Sequence, residues 1–141
     1  MSATSEQFLL DTHVWLWLID GSPRLPQSST LELNKLQRAG VLFGSVISVW
    51  EIALLESLGR VVLKTTIEEW LQTSFEDDGI QLQEISAAAA VEANRLPEAF
   101  HRDPVDRILV ATARQMDFTL LTRDDALLAY AKQGHLRARR I

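Results

Sequence analysis

The sequence predicts an α/β fold with a mainly parallel sheet. Short apolar runs alternate with segments of helical periodicity, the order expected of strands joined by crossover helices. The junctions carry capping or turn residues. The 141 residues, 47% hydrophobic and 23% charged, suffice for one domain with its own core, taken as residues 1–141.

Phe8-Leu9-Leu10 is an apolar run ending at Asp11 and reads as the first strand. His13 to Ile19 reads as a helix capped by Asp11 or Thr12, although six consecutive apolar residues, 14–19, suit a buried strand equally. Gly21-Ser22-Pro23 closes it, and a helix follows from about Ser28 to Ala39, stopped by Gly40. Residues 41–46 form the second strand, and Ser48 to Leu58 a helix ending before Gly59. A helix from Thr66 to Phe75 runs into an acidic turn at 76–79. Ile80 to Ile85 alternates in polarity, as a third strand would. Ser86 caps the alanine-rich helix Ala87 to Asn94, with Pro97 beyond it. Asp103-Pro104 opens a helix through Met116, with proline at its favoured first position. Phe118 to Thr122 is the fourth strand, Asp124 to Gln133 a helix, and Leu136 to Ile141 a short fifth strand. No repeat, low-complexity tract or linker interrupts the pattern.

Composition narrows the function classes. No apolar stretch is long enough to span a bilayer, and MSATSEQ lacks the basic and apolar regions of a secretory signal. Cysteine is absent, which removes disulfides, a thiol nucleophile and Cys-ligated metal sites; a reducing cytoplasm fits. The net charge of −5 argues against nucleic-acid binding. The distribution softens that: residues 123–141 hold five Lys/Arg and two acids (+3), leaving nine and seventeen (−8) in the other 122 residues. A basic RNA-facing tail and an ordinary solvated surface both explain the C-terminal segment.

Four carboxylates stand where strands give way to helices: Asp11 in FLLDTH, Glu51 in SVISVWEIALLE, Asp106 in HRDPVDRILVATA and Asp124 in LLTRDD. Each has a local alternative. Asp11 and Asp124 suit helix N-caps, and Ser48 to Glu51 fits a capping box in which Glu51 reaches back to its helix start. Asp103 is most simply an N-cap, and Asp106 a first-turn acid favoured by the helix dipole. Asp125 is assigned to solvent. Taken singly, capping is favoured; taken together, capping gives no reason for an acid at all four junctions. The carboxyl edge of an open α/β sheet is where ligands bind, and four acids there would repel one another without a cation. Hard oxygen donors with no Cys and no histidine pair favour Mg²⁺ over zinc.

These motifs, LLDTHVWLW, the Glu51 helix, DPVDRILVATA and LLTRDD, resemble those of PIN-domain ribonucleases, in the VapC-like branch of toxins from type II toxin–antitoxin modules. The resemblance runs from about Phe8 to the C-terminus, and the combination of DTHVWLW with RDPVDR is its most specific part. It implies a PIN-like parallel sheet of about five strands flanked by helices on both faces, Mg²⁺ or Mn²⁺ in an acidic pocket, endonucleolytic RNA cleavage, a cognate antitoxin protein and a homodimer. Carried over by motif, the catalytic and metal-binding acids are Asp11, Glu51, Asp106 and Asp124, with Asp103 as an additional acid at the rim. The subgroup often ends in a strand with an aromatic near its close, whereas this chain ends LRARRI.

The expected chemistry is hydrolysis, with one or two cations polarising a phosphodiester oxygen and lowering the pKa of a bound water. Asp11 and Asp106 are the expected direct ligands. Thr12 and Thr122 offer hydroxyls, and Arg107 and Arg123 can meet RNA phosphates; turn roles and surface ion pairs explain these four at least as well. His13 has no evident acid partner and reads as helix surface; His101 and His135 sit in loops. Trp15 and Trp17 are two apart and face different ways on a helix, so one of them suits a subunit or antitoxin interface. Trp50 and Trp70 have the spacing of core positions. Phosphoryl-transfer domains fit poorly: His13 stands where a haloacid-dehalogenase-type site needs a second acid, and no acceptor Asp follows 80–85. A catalytically silent PIN-like RNA- or protein-binding module is the alternative, although none of the four acids is lost.

Overall fold

Five short strands lie side by side in the order β3-β2-β1-β4-β5, and every neighbouring pair is parallel. They are β1 (Phe8–Leu10), β2 (Leu42–Ser45), β3 (Gln81–Gln83), β4 (Thr119–Thr122) and β5 (Ala138–Arg140). The structure, a computed structural model, describes residues 6–98, 100 and 103–141; His101 lies outside them. Parallel neighbours require crossover connections. These run through α1 (Thr12–Asp20), α2 (Gln27–Ala39), α3 (Val46–Ser57), α4 (Ile67–Gln72), α5 (Ala87–Glu92), α6 (Pro104–Met116) and α7 (Asp125–Lys132).

Alternation along the strands builds a core on each face of the sheet. From β1, Phe8 and Leu10 join Trp15, Leu33, Ile52 and Trp70 on one side. Leu9 joins Leu109, Val110, Phe118 and Leu127 on the other. The neighbouring strand β4 divides likewise, with Leu121 on the first side and Leu120 on the second. The apolar run 14–19 is helical rather than extended, ended by Gly21 in the left-handed region. Its Trp15 is fully buried against β2: a Cβ on Gly44 would fall 2.4 Å from the indole, so this approach requires glycine. Trp15 Nε1 donates to Ser74 Oγ at 3.1 Å. Its ring tilts against those of Trp70 and Phe75 at 5.3 and 5.8 Å.

Several expectations are corrected. Helix α3 starts at Val46, capped by Ser45 Oγ accepting from the Ile47 amide at 3.1 Å, so Ser48 is a helical residue and not a cap. Ser48 and Ile52 then face inward. Trp50, two residues from each, turns away and is 56% exposed, not a core residue. The helix beginning at residue 67 stops at Gln72 and continues as one π-helical turn, Thr73–Asp77. There Ser74 Oγ donates back to the Trp70 carbonyl at 3.1 Å. The third strand spans three residues instead of six and forms a sheet edge. The fifth strand is present at the opposite edge, so the basic C-terminus is part of the sheet. Its arginines form ion pairs: Arg137 with Asp117, Arg139 with Glu32 and Arg140 with Asp125. Among the described residues, no helix is long and apolar enough to cross a membrane.

Candidate active site

With this strand order the chain leaves β1 toward β2 on one side and later places β4 on the other. The crevice between the carboxyl ends of β1 and β4 is therefore the topological switch point, where open α/β sheets bind ligands. Asp11 follows β1 directly, and Thr122 ends β4. Thr122 Oγ1 donates to Asp11 Oδ2 at 2.7 Å across the crevice, and the Asp11 amide donates to the Leu121 carbonyl at 3.0 Å. Asp11 occupies the N-cap position of α1, yet its side chain accepts no cap hydrogen bond. The capping role expected of it is absent.

The Asp11 side chain is instead sunk in the crevice, the residue 7% exposed. Burial raises its pKa, because the charged form loses water. The Thr122 hydroxyl, the His13 charge and the Thr12 amide pull it back, while the charge of Asp124 pushes it up again. Glu51, half-buried in the second turn of α3, is also raised, first by burial and then by Asp103 and Asp11; Thr12 and His13 oppose the shift. It forms no capping box, since Ser45 starts the helix. Ser48, the expected cap, shares a 2.7 Å hydrogen bond with Thr12 in a fully buried position. Both threonine hydroxyls thus bear on the carboxylates: Thr122 on Asp11, Thr12 on Glu51.

The remaining acids behave differently. Asp103 Oδ1 accepts from the Asp106 amide at 3.0 Å, capping α6. Asp124 Oδ1 accepts from the Ala126 and Leu127 amides at 2.8 and 3.1 Å, capping α7. Asp106 lies half-buried in the first turn of α6, with Arg107 beside it. Asp125, expected at solvent, is exposed. Arg123 is half-buried and donates to the carbonyl of Ile141.

Electrostatic influence runs from Asp11 to Asp124 and Glu51, and from Glu51 to Asp103. Asp11, Asp124, Glu51 and Asp103 thus influence one another around the carboxyl ends of β1 and β4. Among the described residues no three His, Asp or Glu side chains meet as a group able to hold a metal ion. The donor chemistry nonetheless fits a hard divalent cation: carboxylates, no thiolate, and a buried Asp11 penalised by its own charge and its acidic neighbours.

The structure adds residues that sequence reasoning set aside. His13 is exposed in the first turn of α1, and its charge acts on both Asp11 and Glu51. It therefore faces two acids, against the expectation of none. Trp17, four residues on, and Arg24 join it around one cavity with Asp11, Arg123 and Asp124. The i, i+4 spacing of His13 and Trp17 on a helix that starts just after Asp11 was the available signal.

Comparison with known proteins gives a consistent set of relatives. The PIN domain family matches residues 8–133. Ribonuclease VapC22 of Mycobacterium tuberculosis (strain ATCC 25618 / H37Rv) is 31% identical over 122 residues, covering 86% of this chain and 90% of that protein. Among solved structures, VapBC2 from Rickettsia felis bound to a DNA fragment from its promoter superposes with a TM-score of 0.69 at 15% identity, covering 94% of this chain and 97% of that one. DNA-bound VapBC from Salmonella typhimurium gives 0.67 at 15% identity, covering 96% and 98%. FitAcB from Neisseria gonorrhoeae gives 0.56 at 22% identity, covering 94% and 96%.

Proposed function

Because the chain belongs to the PIN domain family, we propose that it is a divalent-metal-dependent endoribonuclease, a cytoplasmic VapC-like toxin that works as a homodimer and is neutralised by a cognate antitoxin. The observation that carries this reading is Asp11. It sits at a helix cap position but does not cap, and its buried carboxylate is aimed across the switch point at Thr122. A relative that is itself a ribonuclease supports the activity, and relatives structured as VapBC complexes support the antitoxin.

In this mechanism Asp11, Asp106, Glu51 and Asp124 would hold Mg²⁺ or Mn²⁺, with Asp103 at the rim. When bound, such an ion polarises a phosphoryl oxygen and lowers the pKa of coordinated water. Thr122 fixes the orientation of Asp11 through its 2.7 Å hydrogen bond. Thr12, held by Ser48, steadies Glu51. The raised pKa values of Asp11 and Glu51 mark carboxylates whose negative charge is costly where they sit, a cost that a bound cation would offset. Arg107 and Arg123 meet the phosphates flanking the cut.

One observation favours a second reading, a catalytically silent PIN-like RNA- or protein-binding module: among the described residues no three His, Asp or Glu side chains meet as a group able to hold a metal ion. One experiment decides between them. Wild type, Asp11→Asn and Asp106→Asn are incubated with structured RNAs in Mg²⁺, in Mn²⁺ and in chelator. Metal-dependent cleavage confined to the wild type is expected. Equal cleavage by the variants, or cleavage that persists in chelator, overturns the metal-nuclease reading. RNA binding without cleavage selects the silent module. Growth arrest on expression, relieved by a co-expressed partner protein, is the expected sign of a toxin.

A further inference from the structure

Beside Asp11 lies a cavity of about 310 Å³ with three kinds of wall. Asp11 and Asp124 form the acidic side, Arg24 and Arg123 supply cations, and His13 and Trp17 supply aromatic rings. The rings stand one helical turn apart on α1, their centroids 5.9 Å apart and tilted by 47°. Trp17 is half-buried, backed by the core cluster around Trp15, while His13 is exposed. Hydrolysis of a phosphodiester has no need of an indole in its pocket, and the core beneath is already filled by Trp15 and Trp70.

We propose that His13 and Trp17 form a stacking platform for one unpaired nucleobase of the RNA, next to the phosphate that is cut, with Arg24 and Arg123 meeting the adjoining phosphates. This rests on the ribonuclease reading and names the part of the substrate it takes. The cations and the aromatic face in this cavity match the parts of a nucleotide, its phosphates and its flat base, while the acids mark where a cation would offset the reacting phosphate's charge. Unpaired RNA bases are recognised by stacking on aromatic side chains. The cavity lies at the small end of ligand pockets, sized for one flat group and too small for a helix or a duplex. A protein interface also uses tryptophan, but the pairing of the rings with two arginines beside the carboxylates matches a nucleotide more fully, so RNA is the occupant taken here.

The test is binding of a single-stranded RNA octamer in Ca²⁺, with one 2-aminopurine moved through the sequence. Wild type should quench the probe strongly at one position. Trp17→Ala should lose that quench and bind about 10- to 100-fold more weakly, the range of one lost base–aromatic stack. Trp17→Phe should retain most of the affinity, and His13→Ala, at an exposed position, should weaken binding several-fold without loss of fold. An abasic nucleotide at the quenched position should weaken wild type and leave Trp17→Ala unaffected. Unchanged affinity and quench in Trp17→Ala and His13→Ala would overturn the platform even if the wild type cleaves RNA. In that case the ribonuclease reading stands and the rings belong to a protein interface. Stacking without any metal-dependent cleavage would instead sink the nuclease reading and leave the platform intact. No RNA binding by wild type overturns the platform as well.

Discussion

Asp11 and Asp124 occupy the same kind of position, each one residue ahead of a helix at the carboxyl edge of the sheet, yet their side chains do opposite things. Asp124 donates its position to the helix: Oδ1 takes two amide hydrogens of α7. Asp11 makes no side-chain capping hydrogen bond to α1 and is buried against Thr122, with its proton affinity raised. The same residue type at the same junction is stabilising on one side of the switch point and costly on the other. A folded chain keeps a buried, uncapping carboxylate where function compensates the cost. The comparison therefore separates the two corners of the site: β1, α1 and α3 carry carboxylates set aside from structure, while α6 and α7 carry carboxylates that also hold their helices.

The largest expected effect comes from neutralising one member of the pair at a time. Asn caps helices as well as Asp does, so Asp124→Asn removes charge and keeps the cap, whereas Asp124→Ala removes both. Asp11→Asn should lower RNA cleavage by about 10²- to 10³-fold, the scale of one lost preorganised electrostatic group, without lowering the melting temperature. Asp124→Ala should cost about 1 kcal/mol of stability, Asp124→Asn much less, and both should lose less activity than Asp11→Asn. Thermal melts and initial cleavage rates check this. Equal losses in both measurements at both positions would break the comparison.

A second effect falls on the first corner alone. Gly44→Ala pushes a methyl group into the Trp15 indole, which is hemmed in by Trp70 and Phe75 and cannot step back. Overpacking of this kind costs about 1–3 kcal/mol, read from denaturant melts. Because β2 leads through Ser45 into the helix carrying Glu51, divalent-ion binding should weaken along with stability. A Gly44→Ala protein as stable as wild type would show that β2 and α1 can separate without cost.

Much of this division was hidden from the sequence. The parallel sheet was legible because the strands alternate with helices whose stop signals, such as Gly21 and Gly40, are local. Asp11 and Asp124 were legible as acids at strand-to-helix junctions, whereas the same expectation fails for Glu51, which lies in the second turn of α3, and for Asp106, whose helix follows α5 and not a strand. Which acid caps was not legible, since that depends on a hydrogen bond between Thr122 and Asp11, 111 residues apart. The start of α3 was misplaced for a related reason: both Ser45 and Ser48 can cap, and only burial of Ser48 against Thr12 selects Ser45. Trp50 was misassigned because the inward face of α3 is set by Ser48 and Ile52, two residues to either side of it, and not by the tryptophan. His13 was passed over although Asp11 stands two residues before it, and its other acid, Glu51, comes from the separate helix α3.

The smallest effect is a pH dependence, modest because Thr122, His13 and the Thr12 amide already offset part of the desolvation of Asp11. Its sign follows from the direction of the shifts. Asp11 and Glu51 hold protons more tightly folded than unfolded, where ordinary values near 3.8 and 4.5 apply. Their ionisation therefore costs stability, fully so above the raised folded values, and the cost is relieved as pH falls through that range toward the ordinary ones. Glu92 acts oppositely, since Arg114 and Gln115 outweigh its burial and lower its pKa. The informative quantity is thus the difference in melting temperature between wild type and Asp11→Asn in chelator. The variant should be the more stable at neutral pH, and the gap should close on acidification. Mg²⁺ or Mn²⁺ binds the ionised form, so its stabilisation of wild type should be greatest at neutral pH and fade over the same interval. A gap that widens on acidification, or a cation effect equal in Asp11→Asn, would mean that the buried carboxylate at the switch point is not where the ion is held.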